Sequence, residues 1–413
     1  MGIFAWVTRT AVSVAVVLAV AGCGALPRMT PPDARIAEKA VVPGLEGVRF
    51  WGDEVPTGDV VEEMRKRLPN LPRAASHTRT PDGRPIIEYL ALSGGGGDGA
   101  FGAGLLAGWA ARGTRPQFEV VTGISAGGII APFAYLGPRY DKQLEEIWTQ
   151  YQTSQLVTAQ ILPGLLGGPA LADTTPLENL IARYVDKAFL RAIAAEYRRG
   201  RLLLIGTTNL DAQRPVIWNM GEIAASRHPD APELFRKVIM ASAAIPGAFP
   251  PVSIKVESNG QVFDEMHVDG GVTRELFIAP VQVKLSDFDK LYDPRNGKPL
   301  RRIYIIRNGK VGPEFQPVKP TAVSIAARSV FTLTKSNGEG DVYRIWRMAR
   351  DSGAEFNLAA IPACFDHTSR EAFDPVYQRE LYKAGYAAGL AGPIWTHQPP
   401  ELRRTPLTLC GPR

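Results

Sequence analysis

The residues best placed to do chemistry in this 413-residue chain lie in three short glycine-rich stretches. The first is Gly123-Ile124-Ser125-Ala126-Gly127, a G-x-S-x-G pattern after a strand-like run and before a helix-like one. A serine in that setting sits on a sharp turn that lifts its hydroxyl out of the sheet. Its neighbours must be small because backbone crowds the turn. The dipole of the following helix favours negative charge beside the hydroxyl, which makes Ser125 the candidate nucleophile. The second stretch is Ser93-Gly94-Gly95-Gly96-Gly97-Asp98-Gly99, again between a strand and a helix. Without side chains in the way, backbone N–H groups of Gly94 to Gly97 can converge on a developing oxyanion. The third is Asp269-Gly270-Gly271, preceded by His267 and Val268. Alone it is a turn. Beside a serine elbow it supplies a base, since a carboxylate on a tight glycine turn can approach a hydroxyl closely.

Two other readings compete. Gly94, Gly96 and Gly99 satisfy G-x-G-x-x-G, the dinucleotide fingerprint, which also needs an acidic residue at the end of the next strand. Glu119 falls near that strand's beginning, and the strand ends instead in the serine elbow. A Ser-His-Asp triad in the order Ser, acid, His would draw on His367 or His397 after Asp269, and nothing local supports either. His267 reads as a strand residue flanking the Asp269 turn.

The elements that must position these groups alternate. Ile86 to Leu92 is a strand-like run, Gly102 to Ala111 is helical with Leu105, Leu106 and Trp109 on one stripe, and Phe118 to Val121 is a second strand. Gly127 to Tyr135 reads as a small-residue helix, Leu202 to Thr208 as a central strand, and Pro215 to Trp218 as its hairpin partner. Leu234 to Ala244 is a helix stopped by Pro246, and Arg302 to Ile306 is a last strand. Helices are expected over Val60 to Leu68, Thr321 to Leu333, Asp341 to Ala349 and Ser369 to Leu390. The alternation argues for an α/β fold on a parallel sheet.

In this order the glycine loop, the G-x-S-x-G elbow and the late D-G-G resemble the patatin-like phospholipases. Ala241-Ser242-Ala243-Ala244-Ile245-Pro246 with Phe249-Pro250-Pro251, and Thr208-Asn209-Leu210-Asp211 ahead of a hairpin, are similar to that family's segments. The resemblance covers about residues 86–285. It implies a three-layer α/β/α sandwich with a mostly parallel central sheet, and a Ser125–Asp269 dyad that needs no histidine. It also implies an oxyanion cradle from the Gly94–Gly97 loop and acyl lipids, most often phospholipids, as substrates. One position departs: the family loop usually carries Arg or Lys where Asp98 stands. An acidic residue there would repel a phosphate headgroup unless turned away or paired with an Arg, which moves the expectation toward a neutral ester or glycerolipid. Capping of the following helix is the plainer expectation for Asp98. An inactive patatin fold serving as an envelope scaffold or binding protein is the rival from another functional class.

Outside the catalytic stretch the N-terminus is the most informative segment. Arg9 precedes the apolar run Ala11 to Ala21, which ends in Val20-Ala21-Gly22-Cys23. The run is too short to span a bilayer comfortably, and a small-residue site ending in cysteine resembles the bacterial lipobox. Residues 1–22 are thus expected to be a lipoprotein signal peptide, with Cys23 lipidated and the product held in the cell envelope facing the periplasm or the exterior. Residues 23–85 read as a tether and lead-in, and 286–413 as a strand and mainly helical extension packed on the catalytic domain. Leu156 to Leu171, apolar and glycine-containing, is a candidate lid. Export makes a disulfide between Cys364 and Cys410 permissible, though two cysteines carry too little pattern to decide it.

Composition is that of an ordinary globular chain, 45% hydrophobic and 21% charged. The net charge of +6 is diffuse and accompanied by no zinc or nucleic-acid motif, so nucleic acid is not an expected partner. It fits a mild attraction to anionic membrane surfaces, or simply a solvated basic surface. The expected partners are a lipid or acyl-ester substrate and, through Cys23, the membrane; no protein partner can be named. No cofactor or metal is expected, because the dyad needs none and no ligand spacing is present.

Overall fold

Strands whose apolar residues run without a break must be covered on both faces, and period two decides which side chain meets which layer. A computed structural model describes residues 28–54, 79–159, 170, 172–292, 295, 297–392 and 395–402. Its main sheet has nine strands: β1 (Arg49–Trp51), β2 (Ile86–Leu92), β3 (Val120–Gly123), β4 (Leu202–Asn209), β5 (Arg214–Asn219), β6 (Val252–Ser258), β7 (Gln261–Asp269), β8 (Leu300–Lys310) and β9 (Glu355–Ile361). The strands β4, β3, β2, β8 and β9 are parallel neighbours in that spatial order. β5 folds back antiparallel on β4, β1 pairs antiparallel with β5, and the β6–β7 hairpin joins through β7 on β4.

The alternation holds across the middle of the sheet. Leu90, Leu92, Val121, Tyr304 and Ile306 enter one core, while Ile87, Tyr89, Ala91, Val120, Ile303 and Ile305 enter the other. The helices α1 (Gly99–Ala111), α2 (Ala126–Leu136), α3 (Ala231–Ser242), α4 (Ala322–Ser352) and α5 (Pro375–Ala391) divide between these faces. Phe101 of α1, Ile130 of α2, Phe235 of α3 and Leu381 of α5 fill the first core; Val342, Ile345 and Ala349 of α4 fill the second. The result is the expected three-layer α/β/α sandwich on a mostly parallel sheet.

The C-terminal segment completes this sandwich from within. β8 lies between β2 and β9, so Arg302 to Ile306 is not the last strand: Glu355 to Ile361 follows it at the sheet's edge. α5 packs on α1 backbone to backbone. A Cβ on Gly104 would meet the Tyr382 carbonyl at 2.1 Å, and one on Gly385 would meet the Phe101 carbonyl at 2.3 Å. Paired small-residue faces of this kind let two helix backbones approach closely.

The two helices expected over Thr321–Leu333 and Asp341–Ala349 are one, the 31-residue α4. The intervening Ser336-Asn337-Gly338-Glu339-Gly340 reads as a loop because it collects poor helix formers. Gly338 is there for a close approach: a Cβ on it would lie 2.9 Å from Glu275 Cγ. The expected Val60–Leu68 helix, most of the Leu156–Leu171 lid candidate, the signal peptide, Cys23 and Cys410 lie outside the described residues. Cys364 is disulfide-bonded, and its partner also lies outside them. Among the described residues no helix is long and apolar enough to cross a membrane.

Candidate active site

β3 ends at Gly123 and α2 begins at Ala126, so the chain must turn within two residues. Ser125 takes the strain, with φ 54° and ψ −123°. A non-glycine residue there costs on the order of 1–3 kcal/mol and persists only where its surroundings enforce it. A Cβ on Gly123 would sit 2.3 Å from the Gly127 carbonyl, and one on Gly127 would sit 2.2 Å from the Leu92 carbonyl. Both flanking glycines are therefore demanded by space. Ile124 is buried against Leu204, Ile217 and Phe277, and Ala126, the first residue of α2, lies in the core.

The Ser125 backbone is held by a residue far away in sequence. Its N–H donates to Ser242 Oγ at 2.9 Å, and Ser242 in turn donates to the Gly206 carbonyl at 2.7 Å. Two residues on, the Ala244 carbonyl accepts from the Asp269 N–H at 2.9 Å. The end of α3 thus fixes the backbones of both Ser125 and Asp269. Sequence reading had noted this segment without giving Ser242 any role; a serine among alanines at a helix end was its only signal.

Asp269 closes β7 opposite Thr207 of β4. Gly270 has no room for a side chain, since a Cβ would come 2.6 Å from the Gly206 carbonyl. The Gly271 N–H donates to Asp269 Oδ1 at 2.8 Å, and the nearby Ser125 hydroxyl favours the ionised form of the Asp269 carboxyl. Both residues are only 6% exposed. Burial pushes the Asp269 carboxyl up to about 6, against the nearby Ser125 hydroxyl and the Gly271 N–H, which favour its ionised form. A carboxylate so placed can take a proton from the serine near neutral pH.

The glycine loop runs beside them. A Cβ on Gly94 would lie 3.0 Å from Ser125 Cβ, and Gly95, at φ +146°, would drive one to 2.0 Å from the Asn308 carbonyl. Asn308 on β8 braces the loop further. Its Nδ2 donates to the Ser93 carbonyl at 2.8 Å, and its Oδ1 accepts from the Gly102 N–H at 3.1 Å. Asp98 and Gly99 close a short 3-10 turn by donating to the Gly95 and Gly96 carbonyls. The first N–H groups of any helix have no partner inside it, which leaves those entering this turn available to an oxyanion.

Asp98 does not cap the next helix through its side chain. Its Oδ1 accepts a 2.7 Å hydrogen bond from the Tyr377 hydroxyl on α5, and burial pushes its carboxyl up to about 6. The acid is thus paired with a phenol of the C-terminal helix. His267, His367 and His397 are engaged elsewhere. His267 is fully buried, with Nδ1 3.0 Å from Thr207 Oγ1 and Nε2 3.2 Å from Glu265 Oε2, and burial lowers its pKa. His397 Nδ1 lies 3.0 Å from the Phe356 carbonyl, and the His367 ring lies against Phe365. Glu119 takes no part either: its Oε2 accepts from the Glu88 N–H, deep in the sheet.

The site's order along the chain, its elbow strain and its sheet agree with one family. The family model for patatin-like phospholipases matches residues 90–281. Over those residues the chain is similar to the patatin-like phospholipases. Among solved structures the chain is similar to VipD from Legionella pneumophila, at 12% identity over 76% of this chain and 69% of that one, with a TM-score of 0.36. Human GIVD cytosolic phospholipase A2 is similar at 11% identity, over 78% of this chain and 56% of that one, with a TM-score of 0.34. So is full-length ExoU of Pseudomonas aeruginosa, solved with SpcU, at 13% identity over 76% and 54%, with a TM-score of 0.31. No curated protein matches the sequence. The patatin-like match holds Ser125, Asp269 and the glycine loop but stops short of Asn308, α4 and α5, which buttress them.

Proposed function

We propose that this chain is a lipid acyl hydrolase in which Ser125 and Asp269 form the catalytic dyad. The match of residues 90–281 to the patatin-like phospholipase family model supports acyl-lipid hydrolysis. The observation that carries the dyad is the placing of the Ser125 hydroxyl near enough to the buried Asp269 carboxyl to favour its ionised form, beside a loop of unencumbered amides. As Ser125 Oγ attacks the ester carbonyl carbon, Asp269 takes the hydroxyl proton. The carbonyl electron pair moves onto oxygen, where the N–H groups of the Gly94–Gly97 loop stabilise it. Collapse expels the alcohol, which leaves with the proton from Asp269. A water then gives a proton to Asp269 as it attacks the acyl-serine, and collapse of that adduct releases the fatty acid while Ser125 Oγ takes the proton back from Asp269.

The Tyr377 hydroxyl holds Asp98 against α5 but leaves its charge in place, so a neutral glycerolipid is favoured over a phospholipid at this site. The protein works, on this reading, as an exported lipoprotein tethered through Cys23. The lipobox-like ending of the N-terminal apolar run supports this, as does a disulfide at Cys364, a bond that persists in oxidising compartments.

The test is fatty-acid release from phosphatidylcholine vesicles and from triolein emulsion by the wild type and by Ser125→Ala. The dyad predicts release from at least one substrate by the wild type and loss of release to background in the variant. A folded wild-type chain without turnover on either, or a variant that keeps its rate, overturns it.

A further inference from the structure

One acidic side chain at the site has no role in the dyad mechanism. Glu275 lies six residues beyond Asp269 and is 8% exposed, about as deep as Ser125 and Asp269 themselves. Its Oε2 is buried and has no hydrogen-bond partner among the described residues. A buried polar atom left so costs on the order of 1–3 kcal/mol, and a native structure that keeps one needs a reason.

Its placement supplies that reason. A Cβ on Gly94 would lie 2.9 Å from Glu275 Oε1 and 3.0 Å from Ser125 Cβ. A Cβ on Gly271 would lie 2.8 Å from Glu275 Oε2 and 3.1 Å from Asp269 Oδ1. The carboxyl therefore faces the nucleophile across one glycine and the base across another. Both gaps exist only because those residues lack side chains. A third glycine, Gly338 of α4, makes room for the Glu275 stem. The backbone is fixed as well: Asp341 Oδ2 accepts from the N–H groups of Glu275 and Leu276 at 2.8 and 3.2 Å.

The charged groups facing this carboxyl are Asp269 on β7, Asp341 on α4 and Arg307 on β8. The Arg307 guanidinium donates through Nη2 to the Lys335 carbonyl at 3.1 Å, and Asp341 is itself paired with Arg344 at 2.6 Å and Arg274 at 3.4 Å. Burial and the nearby Asp269 push the Glu275 carboxyl up to about 8, with Arg307 opposing. Near neutral pH it is an acid with a proton to donate, whereas an ionised group here would repel the oxyanion.

We propose that Glu275 is a third catalytic side chain, whose neutral O–H donates a hydrogen bond to the ester carbonyl oxygen as Ser125 attacks and that oxygen becomes the oxyanion. Glu275 keeps its proton throughout; the Ser125 proton still goes to Asp269. The arrangement adds a side-chain donor to the amides of the glycine loop, as neutral buried acids can when their site disfavours ionisation.

This inference rests on Ser125 being the nucleophile, and the experiment separates the two. Hydrolysis of p-nitrophenyl butyrate by the full chain is followed from pH 5 to 10 for the wild type, Glu275→Gln and Glu275→Leu, with fluorophosphonate labelling of each. The wild type is expected to lose kcat/KM as pH rises through about 8, where the donor ionises. Glu275→Gln keeps a donating N–H that does not titrate, so kcat falls about tenfold at pH 7 and the decline near pH 8 disappears. Glu275→Leu lowers kcat by about 10²–10³ at every pH with little change in KM. An alkaline limb unchanged in Glu275→Gln, or a folded Glu275→Leu with near wild-type kcat, overturns the proposal. If Glu275→Leu fails to fold, the Gln profile decides alone. Absence of labelling at Ser125 in the wild type overturns the dyad itself, and normal labelling with wild-type behaviour in both variants overturns only the role of Glu275.

Discussion

Residues 90–281 and residues 300–391 divide the work of this site unequally. The first region carries every motif: the glycine loop, the strained Ser125 and the D-G-G turn. The second carries no recognisable pattern, yet its Asn308 carbonyl abuts Gly95, its Tyr377 holds Asp98, and its Asp341 binds the backbone of Glu275. Groups that perform a reaction are constrained by local chemistry, so their types and spacing show in sequence. Groups that hold them in place act across the fold, and any residue with a suitable atom at the right spot will serve. A family described by its motifs therefore ends before its support does.

Substitutions on either side of that boundary can break or sharpen this division. Gly95→Ala should do the most damage, because its φ of +146° excludes a side chain and the Asn308 carbonyl stands 2.0 Å from the added carbon. The loop must move away from Ser125, and kcat should fall by about 10²-fold, the scale of losing an oxyanion donor. A steady-state comparison at matched folding checks it. A variant with unaltered kcat would mean the glycine loop is not held against β8 as described.

Tyr377→Phe should do less. It removes the hydrogen-bond donor to the partly buried Asp98 carboxyl, and thermal or urea unfolding should show a loss of about 1 kcal/mol. Turnover should drop only a few-fold, since Asp98 touches no reacting atom. Were Tyr377→Phe to abolish hydrolysis while leaving stability intact, the C-terminal region would be part of the chemistry and the division would fail.

Much of the fold was legible in the sequence because buried parallel strands and small-residue helices have characteristic runs. The strand before the glycine loop and the strand and helix around Ser125 emerge from apolar periodicity and turn residues alone. Three kinds of feature did not. Glu355 to Ile361 escaped because an edge strand mixes polar residues with apolar ones. α4 was split in two because Gly338 and Gly340 look like breakers, when Gly338 is spent on contact with Glu275. Asn308 and Glu275 gave no signal, and Ser242 gave only its place among alanines at a helix end, since each matters only through residues brought near it by folding. The reading of Asp98 as a helix cap erred for the same reason: its partner, Tyr377, is 279 positions away.

The central claim is that Asp269 activates Ser125. The most direct test is the rate at which a fluorophosphonate labels Ser125, measured by peptide mass spectrometry against pH in the wild type and in Asp269→Asn. Asp269 must be ionised to accept the proton. Labelling should therefore be slow below pH 6, rise through about 6 and then level off, following a carboxyl raised by burial. Asp269→Asn should be slower by about 10²–10⁴-fold and lose that rise. A wild-type rate without an inflection near 6, together with an Asp269→Asn variant that labels as fast, would contradict the account.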